Sequence, residues 1–483
     1  MSEVIALVDI GGSSVKVSIY SPSMDEVMSC TEPALPASKD EDVTQDPSVL
    51  LEKILSAMNC AGRRLSLGIS IGALYVSSIR QGFCLISGHE ELTPLIYNRD
   101  TSGKHSEEEL KTYGWDRLYE ETGHWFAPQL TLPKLLHLRR SNPKLFNAET
   151  RLAFVHDWLV WNLTGVLLTE MTLVSAGQMA LLTHNRVNEE MLEQFGFDRN
   201  LVPQIGKFGD TVGRIRPKLL TSLGPEWQRC IVRLGGGDSH FLHMGASHNQ
   251  EGTIVISAGS STPISYLKSN LTNSALARPW KSTSFVHDLY LHEGNCGYPG
   301  TYFGWLVAST SGRVDSNHFE LPIQDIEIAA NVFGSCYRWT YESWRDCPPF
   351  SILNQTPQHG VEQLLLGLTL DYAFSLKSQI LDLTGGGVKP TTQIMMTGGG
   401  ANTFLARILQ TILGGSVQVV DSEECAKNLL YQISTAEIRQ SSAQIQVQNF
   451  SDEVRNSLLK LEKTHWESYL TIEGAGEVIR SVA

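Results

Sequence analysis

Hydrophobic positions in this chain fall into short runs that stop at glycine. Val4 to Val8 is a continuous apolar run, and Asp9-Ile10-Gly11-Gly12-Ser13-Ser14 breaks it. Val15 to Tyr20 then alternates apolar with polar, the period of a half-buried strand. Together they predict a β-hairpin with a turn rich in glycine and serine. A loop rich in Pro, Asp and Ser is expected over Ala34 to Asp46. The helix predicted next, Pro47 to Met58, carries Val49, Leu50, Ile54 and Leu55 at helical spacing. Leu65 to Ile71 predicts a buried strand ending at Gly72, and Tyr97 to Thr101 a polar turn. Helices are predicted over Pro133 to Arg140 and His156 to Gly165, with Gly165 as a C-cap.

The second half repeats the opening pattern. Ile231 to Leu234 predicts a strand leading into Gly235-Gly236-Gly237-Asp238-Ser239-His240, and Phe241 to Ala246 reads as helix. Gly252 to Ser257 is another strand, broken at Ala258-Gly259-Ser260-Ser261, and Pro263 to Leu267 alternates again. Two hairpins with Gly/Ser turns, one in each half, suggest a duplicated architecture. A strand over Gln393 to Thr397 feeds Gly398-Gly399-Gly400-Ala401 and a helix, Thr403 to Leu413. The tail from about Ser441 reads as amphipathic helix through Val454, Leu458, Leu459 and Leu461, with a frayed end.

Composition narrows the class. A chain of 483 residues implies two to four domains. Hydrophobic content of 42% is that of a globular protein and leaves little room for long disorder. The net charge of −13 argues against non-specific nucleic-acid binding and against anionic membrane surfaces. It does not exclude an anionic ligand, since a few backbone amides can bind a phosphate within an acidic protein. The eight cysteines form no Cys-x-x-Cys pair, which argues against zinc and thioredoxin-like chemistry. With no signal-peptide pattern and no apolar run of about 18 residues, the expectation is a soluble cytoplasmic protein with reduced thiols.

The glycine motifs carry the candidate chemistry. The 9–14 turn offers clustered backbone N–H groups and two hydroxyls, which suit a phosphate. It lacks the Walker A spacing. The strand–glycine–helix unit at 393–413 lets a phosphorylated or flat ligand approach a helix N-terminus, or is a structural turn. Asp238, delivered at the end of a tight turn of three glycines, can accept a proton or cap the next helix.

In this order and at these distances, Asp9 to Ser14, Gly235 to Asp238, Gly259 to Ser261 and Gly398 to Ala401 resemble the FGGY family of carbohydrate kinases. Pro133 to Leu136 and Asp157 to Gly165 look like the family's middle segment, and a helix over Glu362 to Leu383 fits too. The resemblance covers roughly residues 4–435. It implies an α/β fold of two actin-like (ribonuclease H-like) domains, each a mixed β-sheet flanked by helices, with the active-site cleft between them. The boundary implied is 1–246 and 247–483. It also implies ATP-dependent phosphorylation of a ketose or polyol, pentulose- or hexulose-like, with ATP and Mg²⁺ as cofactors. Gly11, Gly12, Ser13 and Ser14 would meet the nucleotide phosphates, and Gly259, Ser260 and Ser261 would form the second phosphate loop. Gly398, Gly399, Gly400 and Ala401 would pack on the adenosine. Asp9 would organise Mg²⁺ through water, and Asp238 would be the general base. The only partner expected is the small sugar or polyol, without nucleic acid or membrane, and a homodimer is left open. The alternative is a catalytically weak actin-like sugar sensor or regulatory protein.

The chain departs from the family pattern at several places. The Trp-x-Asp-x-Arg sugar motif is replaced by Tyr97-Asn98-Arg99-Asp100-Thr101 in a shifted register, where Asp100 and Arg99 are the candidate sugar contacts beside Asp238. Gly72 to Tyr75 stands where Gln or His is common. Lys427 to Leu430 replaces a Gly-Ala pair near the adenine pocket, and Ser260 replaces a common Thr. His240 and His243 read as structural or sugar-edge groups, and Glu293 to Gly297 as a pocket wall from the second domain.

Overall fold

The computed structural model describes residues 3–470 except 24, 35–36, 40–41, 67, 248–249, 260, 272–277, 298, 310–331, 335–351, 354–355, 357–358, 390–391 and 436–444. The chain divides into two compact units. The first comprises Met1–His248, Lys281–Tyr290 and Ala426–Arg439, and the second Asn249–Trp280, Leu291–Cys425 and Gln440–Ala483.

In the first unit, β1 (Glu3–Ile10), β2 (Ser14–Tyr20) and β3 (Glu26–Pro33) precede helix α1 (Pro47–Arg63) and strand β4 (Ser70–Ser78). Helices α2 (Thr131–Ser141) and α3 (Val155–Thr164), strands β5 (Thr211–Arg214) and β6 (Ile231–Gly237), and helix α4 (Asp238–Ser247) come next. The sheet order is β5-β6-β4-β1-β2-β3. β1 pairs antiparallel with β2 and parallel with β4, and β4 pairs parallel with β6. β1 is apolar from Val4 to Val8 because both of its faces are covered. Val4, Ala6, Val8 and Ile10 join one core with Leu50, Ile54 and Met58 of α1, while Leu7 packs with Tyr20, Tyr75, Phe241, Leu429 and Leu430 on the other face. Burying each large side chain of α1 contributes about 1.5–3 kcal/mol. That helix starts where Asp46 accepts from the Ser48 and Val49 amides, with Pro47 in its first turn.

The second unit holds β7 (Ile254–Ser257), β8 (Pro263–Lys268), β9 (Tyr290–Asn295), helix α5 (Val361–Thr384), β10 (Gln393–Thr397), helix α6 (Thr403–Leu413), β11 (Ser416–Val419), β12 (Ile445–Gln446) and helix α7 (Asp452–Leu470). These strands run in the order β12-β11-β10-β7-β8-β9. β7 pairs antiparallel with β8 and parallel with β10, and β10 pairs parallel with β11. The pairing of the first unit thus recurs, from an antiparallel edge strand through three parallel strands to the returning arm of the hairpin. Each unit is a mixed sheet flanked by helices, the α/β architecture expected.

Three local expectations change. The strand predicted over Leu65 to Ile71 starts at Ser70 and runs through Gly72 to Ser78. Parallel partners on both sides hold it, and Gly72 leaves room for Glu3, whose carboxylate would lie 2.9 Å from an added Cβ. The loop expected over Ala34 to Asp46 contains two short strands, Ala37–Lys39 and Asp42–Gln45, paired with each other. The cysteines are not all thiols, because Cys30 of β3 is joined to Cys60 of α1 across a Cα separation of 6.3 Å. Packing of the helix on the sheet makes that pair, and no sequence spacing announces it. Among the described residues, no helix is long and apolar enough to cross a membrane.

Candidate functional site

Three neighbouring parallel strands of the first unit end together. The register sets Asp9 of β1 opposite Ser77 of β4, and Ser77 opposite Gly236 of β6. The carboxyl ends of such strands are where α/β sheets meet their ligands. Asp9 and Asp238 are thereby brought to one edge of one sheet from positions far apart in sequence.

Asp9 is held by the Ser77 hydroxyl, which donates to its Oδ1 at 2.8 Å. Burial pushes the Asp9 carboxyl up from 3.8 to about 6 against that hydrogen bond, and the Asp238 charge adds to the rise. Lys16, its register partner on β2, pulls the other way. An acid whose anion is disfavoured by burial and by a second carboxylate suits a site that receives a cation. Among the described residues, no group of three or more His, Cys, Asp or Glu side chains could hold a metal. One or two carboxylates with water and phosphate oxygens are what Mg²⁺ takes, so Asp9 and its neighbour fit that ion.

Asp238 opens helix α4, and its Oδ1 accepts from the Ser239 amide at 2.7 Å. Arg80 Nε stands 3.7 Å from the same oxygen, with the Arg80 side chain 10% exposed and Asp238 40% exposed. A helix N-terminus and a guanidinium both favour an anion there. The three glycines before Asp238 do not form a tight turn. They lie in β6, and none of them has a positive φ. Their missing Cβ atoms make room for close neighbours. A Cβ on Gly235 would stand 1.7 Å from the Val76 carbonyl oxygen, on Gly236 2.7 Å from the Phe285 ring, and on Gly237 2.6 Å from Arg80 Cγ.

His240, one turn into α4, is buried, and its Nε2 donates to the Thr283 carbonyl at 3.0 Å. Burial holds this imidazole neutral, and nearby Arg80 reinforces that. Its Nδ1 is left as a buried acceptor without a partner, next to the backbone of Gly237. Burial likewise lowers His243, to about 3.

The first glycine turn sits beside this edge. The Gly11 amide donates to the Ser14 carbonyl at 2.9 Å, and the Ala34 amide donates to the Ser13 carbonyl at 3.0 Å. Gly12 has only Asn98 Oδ1 within 4.0 Å of a Cβ position, so its backbone is open to an approaching group. Arg99 Nη2 reaches the Gly12 carbonyl at 3.4 Å, which places this exposed guanidinium at the turn. Asp100 is engaged by its own loop. It is 2% exposed, its Oδ2 accepts from the Val43 amide at 2.9 Å, and its Oδ1 accepts from the Ser102 amide at 3.0 Å. Its acceptor positions shape the polar turn. Buried Lys134 ties that turn down further, donating to the Tyr97 carbonyl at 2.8 Å and the Gln81 carbonyl at 2.9 Å.

Two glycine motifs meet in the second unit, at the ends of the paired strands β7 and β10. The Ala258 amide donates to the Thr397 carbonyl, and the Ala258 carbonyl accepts from the Gly400 amide, each at 2.7 Å. Gly398 has φ +99°, and a Cβ there would stand 2.7 Å from the Ala258 oxygen. Gly259 donates to the Ser257 and Ser261 carbonyls at 3.0 and 3.2 Å, while Ser260 lies outside the described residues. Ala401 precedes Asn402, whose Oδ1 caps α6 by accepting from the Leu405 amide at 2.8 Å. The segment Glu293 to Gly297 reaches the same loop, since Cys296 and Gly297 exchange backbone hydrogen bonds with Thr262. The segment around Lys427 belongs to the first unit, where Asn428 Nδ2 donates to the Gly245 carbonyl at 3.3 Å.

Ser77, Arg80 and His156 have no motif in the sequence. Gly72 to Tyr75, the counterpart of polar sugar contacts in the family pattern, lies mid-strand, and the strand delivers Ser77 to Gln81 to the edge instead. An apolar run extended through Gly72 would have put Ser77 at the end of a buried strand.

The sequence profile of the FGGY family of carbohydrate kinases, N-terminal domain, matches residues 4–245. The Bacillus subtilis protein YoaC is 25% identical over 301 residues, 60% of this chain and 59% of that one. A rhamnulokinase of Oceanobacillus iheyensis is 28% identical over 221 residues, 45% of each chain. The chain thus spans about half the length of the curated relatives it matches. The crystal structure of ligand-bound xylulose kinase from Lactobacillus acidophilus shares the fold, with a TM-score of 0.83 at 18% identity over 99% of this chain and 100% of that one.

Proposed function

The chain belongs to the FGGY family of carbohydrate kinases, and from that premise we propose that it transfers the γ-phosphate of ATP to a hydroxyl of a ketose or polyol. The observation that carries this reading is the meeting of Asp9, Ser77 and Asp238 at the ends of three adjacent strands, beside the open Gly11–Gly12 turn. Relatives named rhamnulokinase and xylulose kinase favour a pentulose- or hexulose-like acceptor.

Asp238 is the general base. It takes the proton of the attacking hydroxyl while that oxygen bonds to the γ-phosphorus and the bond to the β-phosphate oxygen breaks, releasing ADP. A positioned carboxylate contributes roughly 10²–10⁴-fold to such a step. Arg80 holds the Asp238 side chain in place. Backbone amides of Gly11 and Gly12, with Ser13 and Ser14, take phosphate oxygens, and within the second unit Gly259, Ser261 and Gly398 to Ala401 form a candidate nucleotide loop. Asp9 would hold Mg²⁺, which would supply charge neutralisation on the phosphates. Arg99 lies at the phosphate turn and contributes there, whereas Asp100 acts on the sugar through the shape of its loop.

The test is ADP release with ATP and Mg²⁺ across a panel of ketoses and polyols, in wild type and Asp238→Asn. One acceptor should stimulate turnover, and Asp238→Asn should lose it while still binding nucleotide. No stimulation by any acceptor would sink the kinase reading and leave a nucleotide-binding sensor. Full turnover by Asp238→Asn would remove the base.

A further inference from the structure

The strand that delivers Asp238 is irregular. Between Arg233 and Gly236 its register against β4 shifts, so that Leu234 and Gly235 both stand opposite Val76. A bulge of this kind leaves backbone groups without ladder partners and re-aims the next residues of its strand, and bulges concentrate beside active sites. Here the Gly235 amide donates to His156 Nε2 at 3.0 Å. An amide can only donate, so Nε2 is the acceptor nitrogen and the ring proton is on Nδ1. That nitrogen in turn donates to Asp157 Oδ1 at 2.8 Å.

Both side chains are fully buried in the first turn of α3. The other Asp157 oxygen accepts from the Phe154 amide at 3.2 Å. The imidazole therefore has one tautomer and one orientation. The Val76 carbonyl lies so close to Gly235 that no Cβ fits. Both contacts fall on Gly235, three residues before Asp238.

We propose that His156, oriented by Asp157, is a positioning residue for phosphoryl transfer: it holds the bulge at Gly235 and thereby aims Asp238 at the attacking hydroxyl. The inference rests on the reading of Asp238 as the base. The ring nitrogens of His156 bond the backbone of β6 and its own acid. A shift of about 1 Å at a reacting group can cost about 10²-fold, and an imidazole locked by a carboxylate is a recurring way to prevent one.

Three variants test it. His156→Phe fills the space without an acceptor, and His156→Gln returns a carbonyl oxygen to the Gly235 amide. Asp157→Asn offers the ring an N–H and so favours the tautomer that opposes that amide. Relative to wild type, His156→Phe should lower kcat by about 10- to 100-fold with the KM for ATP within two-fold. Hydrogen exchange of the peptide spanning residues 231–238 should lose protection at the Gly235 amide. His156→Gln should recover most of both. In an Asp238→Asn background His156→Phe should cost no more, because the group it aims is gone.

A folded His156→Phe with wild-type kcat overturns the proposal, as does an equal loss in both backgrounds. If His156→Phe does not fold, Asp157→Asn decides, and wild-type kcat there also overturns it. Full turnover by Asp238→Asn alone removes the base reading and this proposal with it, whereas the other failures leave the base in place.

Discussion

Arg80 Nε lies 3.7 Å from Asp238 Oδ1, and the stem of the same arginine packs where a side chain on Gly237 would stand. The guanidinium thus reaches the carboxylate by lying across the backbone that delivers it. Because Asp238 is 40% exposed, the pair is screened and stabilises the fold by about 1 kcal/mol or less. Its value is orientation. Arg80→Met keeps the stem and removes the charge. We expect a change of about 1 kcal/mol or less in urea stability and at least about a 10-fold loss of kcat/KM. Unchanged kcat/KM would show that Asp238 needs no such partner.

Asp9 lies at the edge where two carboxylates meet. Its folded-state pKa is raised, from 3.8 to about 6, so the folded protein holds this proton more tightly than the unfolded chain. Stability is then lost as pH rises from about 4 to about 6 and stays lost above that. Asp9→Asn keeps an acceptor for Ser77 and removes the charge. Without nucleotide or metal it should be more stable than wild type at pH 7.5, by about 1–3 kcal/mol, and no more stable at pH 4. Its turnover should fall sharply. A variant less stable than wild type at pH 7.5 contradicts the assignment.

Gly235 admits no side chain. An added Cβ would stand 1.7 Å from a backbone oxygen, which cannot swing away as a flexible side chain can. Gly235→Ala must therefore separate β6 from β4 or break the bulge. We expect a loss of about 3 kcal/mol or more, or insoluble protein, from overpacking at the sheet centre. Near-native melting would mean that the strands are not this close.

Lys134 joins the turn at Tyr97 to the segment after β4, and burial lowers its ammonium from 10.5 to about 7, with Asp100 pulling it back up. The unfolded chain binds this proton at higher pH than the folded protein does. Wild-type stability should therefore fall as pH drops from about 10 to about 7. Lys134→Met lacks that slope and leaves two carbonyls without their donor. It should be less stable at pH 9, by about 1–3 kcal/mol, and the gap should narrow towards pH 7. Urea melts across that range measure both slopes, and parallel slopes would reject the buried ammonium.

The two hairpins, the helices α1, α2, α3, α5 and α6, and every glycine motif were legible in the chain, because apolar periodicity and glycine placement are local signals. The helix at Thr403–Leu413 matches its expectation residue for residue. What misled was glycine read as punctuation. Gly72 does not end a strand and Gly235 to Gly237 do not make a turn, since at both places a neighbouring strand or side chain occupies the missing Cβ volume. Closeness of that kind has no signature along the chain.

Sequence alone settled the repeating hairpins, the order of the glycine loops and the candidacy of Asp9 and Asp238. It could do so because each is a short-range pattern of residue type. Only the tertiary structure decided that Ser77, Arg80 and His156 stand with them. Those residues come from different segments: parallel pairing of β1, β4 and β6 brings Ser77 and the start of Arg80's segment to one edge, and packing of α3 brings His156 to Gly235 of β6. It also decided what Asp100 does, by filling its oxygens with amides from Val43 and Ser102. Long-range pairing and burial assign partners to a side chain, and neither is written at the residue itself.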